Sequence, residues 1–310
     1  MNRRDIVLGL LDPQRQSPYV PAAFFIHFDK AYQRGQAAVD RHLAFFEHTG
    51  MDIVKVQYED RFPPRPEIRT PADWVKLPVY GLDFYQNQLD ILDAIIKAAK
   101  RAALVVQTMY SPFMQACTTV GRDVLKQHII EDPGAVREGM ARITESMLGY
   151  VKACIALGVD GFYASTQGGD VSMFAGSSLF DECIKPYDLE LMHEMERCCV
   201  FNILHICDFW SGYRDLTAFT DYPGHVVSKP HHVKSGDAST DEGLFARPLM
   251  GGLDRHGVIA TGPPSAIERE VRDVLARAPA RFFLGADCTL PADVSWDHIR
   301  TAIAVAHEGR

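Results

Sequence analysis

The feature that most constrains this chain is an alternation. Short, nearly unbroken apolar runs are separated by longer stretches with helical periodicity. Such runs read as strands buried on both faces, and a helix between successive strands is the connection that a parallel sheet requires. The candidate strands are AAFFIHF (22–28), DIVKV (52–56), ALVVQT (103–108), GFYAS (161–165) and FNILHI (201–206). Weaker ones are HVVS (225–228), PLMGGL (248–253) and RFFLGA (281–286). Between them, residues 136–158 carry apolar side chains at three- and four-residue intervals and end at Gly158. Segments 179–198, 265–278 and 295–309 have the same character, with Ser265 and Ser295 as N-caps and Gly309 as a terminator.

Eight strands with intervening helices predict an α/β fold, a (β/α)8 TIM barrel, as one domain over residues 1–310. An open doubly wound sheet is the alternative, but no glycine-rich phosphate loop follows the first strand. The stretch 57–90, rich in proline and aromatics, reads as an elaborated loop over the barrel mouth.

The net charge of -8, without a basic stripe, argues against nucleic acid as a partner. The N-terminal apolar run is broken by Asp12, Pro13 and Arg15, which favours an amphipathic first helix over a signal peptide. Nothing approaches a membrane span. Seven irregularly spaced cysteines, an odd number, suit reduced thiols and a cytoplasmic location better than a disulfide framework. Cys198 and Cys199 read as buried, helical packing residues.

Barrel enzymes place their chemistry where strands end at the C-terminal face. The sharpest signal there is LHICDFW, in which His205 and Cys207 sit two residues apart and so share one face of a strand. Cys288, in FLGADCTLP after the last strand, reaches the same mouth if the sheet closes. Two thiolates and an imidazole suit zinc, and three protein ligands leave a fourth position for substrate. Zinc beside a substrate thiol holds it as a nucleophilic thiolate at neutral pH. An H-x-C pair in an apolar strand is also compatible with packing alone; the coincidence of three such residues at strand ends favours the metal.

The chain from about residue 130 resembles the uroporphyrinogen decarboxylase superfamily of (β/α)8 barrels. The resemblance is carried by GVDGFYASTQGGDVSMFAGSSLFDECIKPYDLELMHEM, FNILHICDFW, PLMGGLDRHGVIATGPPSAIEREVRDVL and FFLGADCTLPADVSWDHIRTAI. Its decarboxylase branch has an N-terminal R-Q-A-G-R motif. Here FFIHFDKAYQRGQAA keeps only Gln33, Arg34 and Gly35, out of order. The corrinoid-dependent methyltransferase branch has a zinc motif of H-x-C, a long gap and C. His205, Cys207 and Cys288 match it, with 80 residues between the cysteines. The resemblance therefore implies a methyltransferase with zinc and a corrinoid (methylcobalamin, free or on a corrinoid protein), a small-molecule methyl acceptor, and a homodimer by analogy.

Further candidates flank this set. His27, Gln167, Asp170 and Asp254 are read as substrate-binding, and Gln167 and Asp170 lie in the glycine-containing loop TQGGD. Asp208 and Asp287 adjoin ligands and are expected to orient them. Glu59 and Asp60 read as loop acids, and His231 and His232 diverge too far to share one ion. Two rival functions stay open: a metal-free decarboxylase acting on an acidic substrate, and a non-catalytic corrinoid- or tetrapyrrole-binding barrel.

Overall fold

A computed structural model describes residues 2–14, 18–210, 212–230, 233 and 244–309. Its centre is a curled, wholly parallel sheet of seven strands in sequential order. The strands are β1 (Ile53–Val56), β2 (Leu104–Tyr110), β3 (Gly161–Thr166), β4 (Ile203–Ile206), β5 (Val226–Ser228), β6 (Leu249–Leu253) and β7 (Phe282–Ala286). The helices are α1 (Arg3–Gly9), α2 (Gly35–Thr49), α3 (Leu82–Ala99), α4 (Pro112–Val120), α5 (Arg122–Glu131) and α6 (Pro133–Leu157). They continue as α7 (Ser178–Cys183), α8 (Lys185–Cys198), α9 (Val258–Thr261), α10 (Pro264–Arg277) and α11 (Trp296–Glu308). None of the described helices is long and apolar enough to cross a membrane.

The expected first strand, 22–28, is not a ladder strand. It makes single bridges, Ala22 to Leu284 in β7 and Ile26 to Leu290 four residues beyond that strand. Toward β1, side chains take over the backbone's work. The Asp52 carboxylate accepts the Ala22 N–H at 2.7 Å, and the Gln57 amide donates to the Ile26 carbonyl. Among the described residues, one backbone bond, Asp52 N–H to the Ala22 carbonyl at 3.0 Å, crosses that seam. The ladder fails because these two polar side chains satisfy backbone groups that a regular strand would pair. Phe24 and Phe25 are nonetheless buried, as are Phe282 and Phe283 across the seam.

Three further expectations need correction. Segment 179–198 is two helices, not one. Pro186 lacks an N–H and crowds the preceding turn, and the chain breaks at Ile184 (φ -122°, ψ -63°). The loop reading of 57–90 holds only until Leu82, where α3 begins; a short 3-10 turn at Pro71–Lys76 precedes it. Ser265 is not a cap, since Pro263 stands at the N-cap and Pro264 opens α10. Ser295 does cap α11, accepting the Asp297 N–H, and Gly309 ends it with φ 88°. Of the paired cysteines, Cys199 is buried but Cys198 is exposed at the end of α8.

Packing outside the sheet turns on close contacts. α6 crosses the 3-10 turn at Gly139, where an added Cβ would lie 2.4 Å from a ring carbon of the fully buried Trp74. At the strand entry, Asp52 is wholly buried and accepts three bonds. They come from the Tyr19 hydroxyl at 2.7 Å, the Ala22 N–H at 2.7 Å and the His307 ring at 2.9 Å. One carboxylate thus ties the segment before residue 22, the start of β1 and the end of α11.

Candidate functional site

Period-two alternation sets which side chains face the cavity at the strands' C-terminal ends. From β3 and the residue after it come Tyr163, Ser165 and Gln167; from β4 and its extension come His205 and Cys207; from β1 comes Lys55. The β3–β4 register continues one step past the strand, with the Cys207 N–H bonded to the Thr166 carbonyl at 3.0 Å. In the same way the Asp287 N–H bonds to the Leu253 carbonyl at 3.0 Å. That extension brings Cys288 to the cavity, whose volume is about 690 Å³.

His205, Cys207 and Cys288 converge there, with their ligand atoms all within 4.8 Å of one another. The two sulfurs are 4.0 Å apart, and Cys288 Sγ is 3.5 Å from His205 Nε2. A tetrahedral ion with Zn–S of about 2.3 Å and Zn–N of about 2.0 Å separates sulfurs by about 3.8 Å, and sulfur from nitrogen by about 3.5 Å. The donor set suits zinc, and these two separations match it, with all three ligand atoms within 4.8 Å of one another. His205 is held in place: Nδ1 lies 3.1 Å from Ser228 Oγ, and its ring stacks on Tyr163 at 4.7 Å. Ser228 is its register neighbour on β5. With Nδ1 donating to Ser228, Nε2 is left free to bind a metal.

The thiols are electrostatically unequal. Contact with Cys288, followed by bonds from Gln167 and Ser165, outweighs burial and lowers the Cys207 thiol to about 7. The same contact, together with burial, pushes Cys288 up to about 12. Cys207 is the thiol favoured as thiolate, first by its contact with Cys288 and then by the Gln167 amide, which donates to it at 3.2 Å.

The other expected residues fall in three places. Gln167 lines the cavity and supports Cys207. His27 also lines it, partly exposed and paired with Glu59 at 3.1 Å, and it stands outside the three-residue ligand group. Asp170 and Asp254 are not cavity-lining residues. Asp170 accepts from Arg122 Nη2 with both carboxylate oxygens, at 2.8 and 2.9 Å, and Asp254 accepts the His256 N–H at 2.8 Å in a turn. Asp60 pairs with Arg34 at 2.9 Å. Asp208 and Asp287 hold loop backbone, accepting the N–H groups of Gly212 at 2.8 Å and Arg255 at 2.9 Å. The bond that orients His205 comes instead from Ser228. His231 and His232 lie outside the described residues.

Several cavity residues escaped the sequence reading. Arg61, Arg122 and Arg255 line the wall from three separate segments, so no local motif announces them. Tyr163 and Ser228 sit in runs that read as plain strand. Lys55 did leave a signal: a lone cation inside the apolar run IVKV has to face something other than a hydrocarbon core.

The family model for uroporphyrinogen decarboxylase (URO-D) matches residues 38–309. The chain belongs to this family. Among solved structures it is similar to a methyltransferase from Methanosarcina mazei, with a TM-score of 0.82 at 15% identity over 99% of both chains. It is also similar to a B12-independent methionine synthase from a Shewanella species, with a TM-score of 0.60 at 12% identity over 94% of this URO-D family chain and 97% of the other. Identities this low speak for a shared fold. No curated protein matches the chain significantly.

Proposed function

We propose that this URO-D family protein is a zinc-dependent methyltransferase that moves a methyl group between a corrinoid and a thiol. The observation that carries the proposal is the convergence of His205, Cys207 and Cys288 within 4.8 Å at the cavity floor. These three would hold the ion. Zinc bound there supplies the Lewis acidity that keeps a substrate thiol deprotonated at neutral pH. Ser228 fixes the His205 tautomer, and Gln167 and Ser165 hold Cys207 toward the ligand position. We read segment 20–28 as the eighth stave of a closed barrel, which would wall the cavity on the β1–β7 side and exclude water. The corrinoid is either free methylcobalamin or carried by a partner protein, and His27 and the arginines are the groups placed to meet a polar substrate at the wall.

Elemental analysis of the purified protein beside Cys207→Ser tests the first step. About one zinc per chain, lost in the variant, is the expected result. Loss of the methyl–cobalt absorbance of methylcobalamin on adding a thiol from a panel tests the second. A protein that binds no zinc even after reconstitution would remove the reading.

One observation favours a second reading. Three arginines, Arg61, Arg122 and Arg255, line the same cavity, although the N-terminal arginine motif is missing. A decarboxylase acting on an acidic substrate would use such groups. It predicts turnover of a polycarboxylate in a zinc-free protein.

A further inference from the structure

Lys55 lies on β1 with only 6% of its surface exposed, yet it lines the cavity. Its ammonium is 4.7 Å from the Phe25 ring centroid and 4.8 Å from that of Tyr163, on which the His205 ring stacks at 4.7 Å. Its one described hydrogen bond goes to Gln57 Oε1 at 3.0 Å. Among the described residues, no carboxylate stands within ion-pairing distance of it. A buried ammonium held only by an amide and two ring faces is incompletely compensated. Burial lowers the Lys55 amine to about 7, and the negative charge of Cys288, Glu59 and Cys207 works against that to favour the ammonium. Glu59 is already engaged by His27.

The charge count at the centre completes the picture and rests on the zinc reading above. Two thiolates and an imidazole around Zn²⁺ sum to zero, so a third thiolate brought by the substrate leaves the site with one negative charge. An incoming thiolate would supply the negative charge that holds Lys55 as the ammonium, and both face one cavity. Methyl transfer then erases the anion. The sulfur lone pair forms the new S–C bond, the Co–C electron pair stays on the corrinoid, and the product is a neutral thioether.

We propose that Lys55 is a specificity-determining residue that favours the substrate as a thiolate over its neutral S-methyl product. It strengthens binding of the methyl acceptor and adds nothing to retention of the thioether, so release is built into the charge change.

The test uses the full-length protein loaded with Co²⁺ in place of zinc, whose visible spectrum reports ligand binding. Dissociation constants are measured for 2-mercaptoethanol and, by competition, for 2-(methylthio)ethanol. Neither probe carries a charged group other than the sulfur. Lys55→Met is expected to weaken the thiol by about tenfold and to leave the thioether within twofold of wild type. Lys55→Arg should keep most of the discrimination. Lys55→Gln serves as the neutral variant if Lys55→Met does not fold. Unchanged thiol affinity, or equal weakening of both probes, would overturn the assignment while leaving the metal centre standing. Failure of wild-type protein to load Co²⁺ or Zn²⁺ would instead remove the metal reading beneath it.

Discussion

Ser228→Ala isolates the part of the centre that no sequence motif marks. Ser228 and His205 are each 1% exposed, and Nδ1 lies 3.1 Å from the hydroxyl. A metal on Nε2 requires the proton on Nδ1. The variant would then strand a buried N–H without an acceptor, which costs about 1–3 kcal/mol. The metal-free protein escapes most of that cost, because the neutral imidazole can move its proton to Nε2 and donate to Cys288, 3.5 Å away. The penalty therefore falls on the metal-bound form. At about 1.4 kcal/mol per factor of ten, zinc affinity should drop by roughly 10- to 100-fold. A competition titration with a chromophoric chelator measures this, and circular dichroism of the metal-free variant checks that the fold is retained. The Ser228 hydroxyl also meets Tyr163, so Tyr163→Phe, which keeps the stacked ring, is the control and should stay within about twofold of wild type. A Ser228→Ala protein that binds zinc as tightly as wild type would refute the tautomer reasoning.

Other outcomes follow from features away from the centre. Asp52→Ala removes three buried bonds and should cost about 3 kcal/mol, seen as a fall of several degrees in Tm with zinc content unchanged. Gly139→Ala drives a methyl into Trp74 and should cost about 1–3 kcal/mol in urea unfolding. Asp188 is raised to about 7 by burial, against bonds from Thr166 and Tyr222. Its folded-state value exceeds its unfolded one, so its contribution to stability is complete below about pH 4 and fades as pH rises to about 7. Asp188→Asn should flatten that stretch of the stability–pH curve and be more stable than wild type at pH 8. A slope unchanged by the substitution would count against a neutral Asp188.

How much of this was legible beforehand depended on whether the signal was local. The strands β1 to β7 could be read because burial on both faces writes a continuous apolar run. His205 and Cys207 could be read because two residues on one strand face share a spacing. Cys288 could be joined to them only by assuming a sheet that curls far enough, and the curl provides it. The same reasoning failed at 22–28, where the run is apolar but the pairing is decided by Asp52 and Gln57, 30 and 31 residues from the groups they bind. Asp208 and Asp287 bond loop N–H groups of Gly212 and Arg255, contacts that adjacency to the ligands in sequence did not announce. The arginines of the wall are brought together by the fold and by nothing shorter.

The seam between segment 20–28 and β7 has a temporal side. Its bridges join residues 22 and 284, and 26 and 290, so segment 20–28 waits through about 260 residues of synthesis before its partner exists. At about 5–20 residues per second that is an interval of tens of seconds. Until then segment 20–28 has no β7 to bridge to, and the pair His205–Cys207 lacks Cys288. A partial chain thus has an unpaired apolar segment and an incomplete donor set at the same time. Both are resolved by one short stretch, residues 282–290, so the three donors come together no sooner than the seam forms.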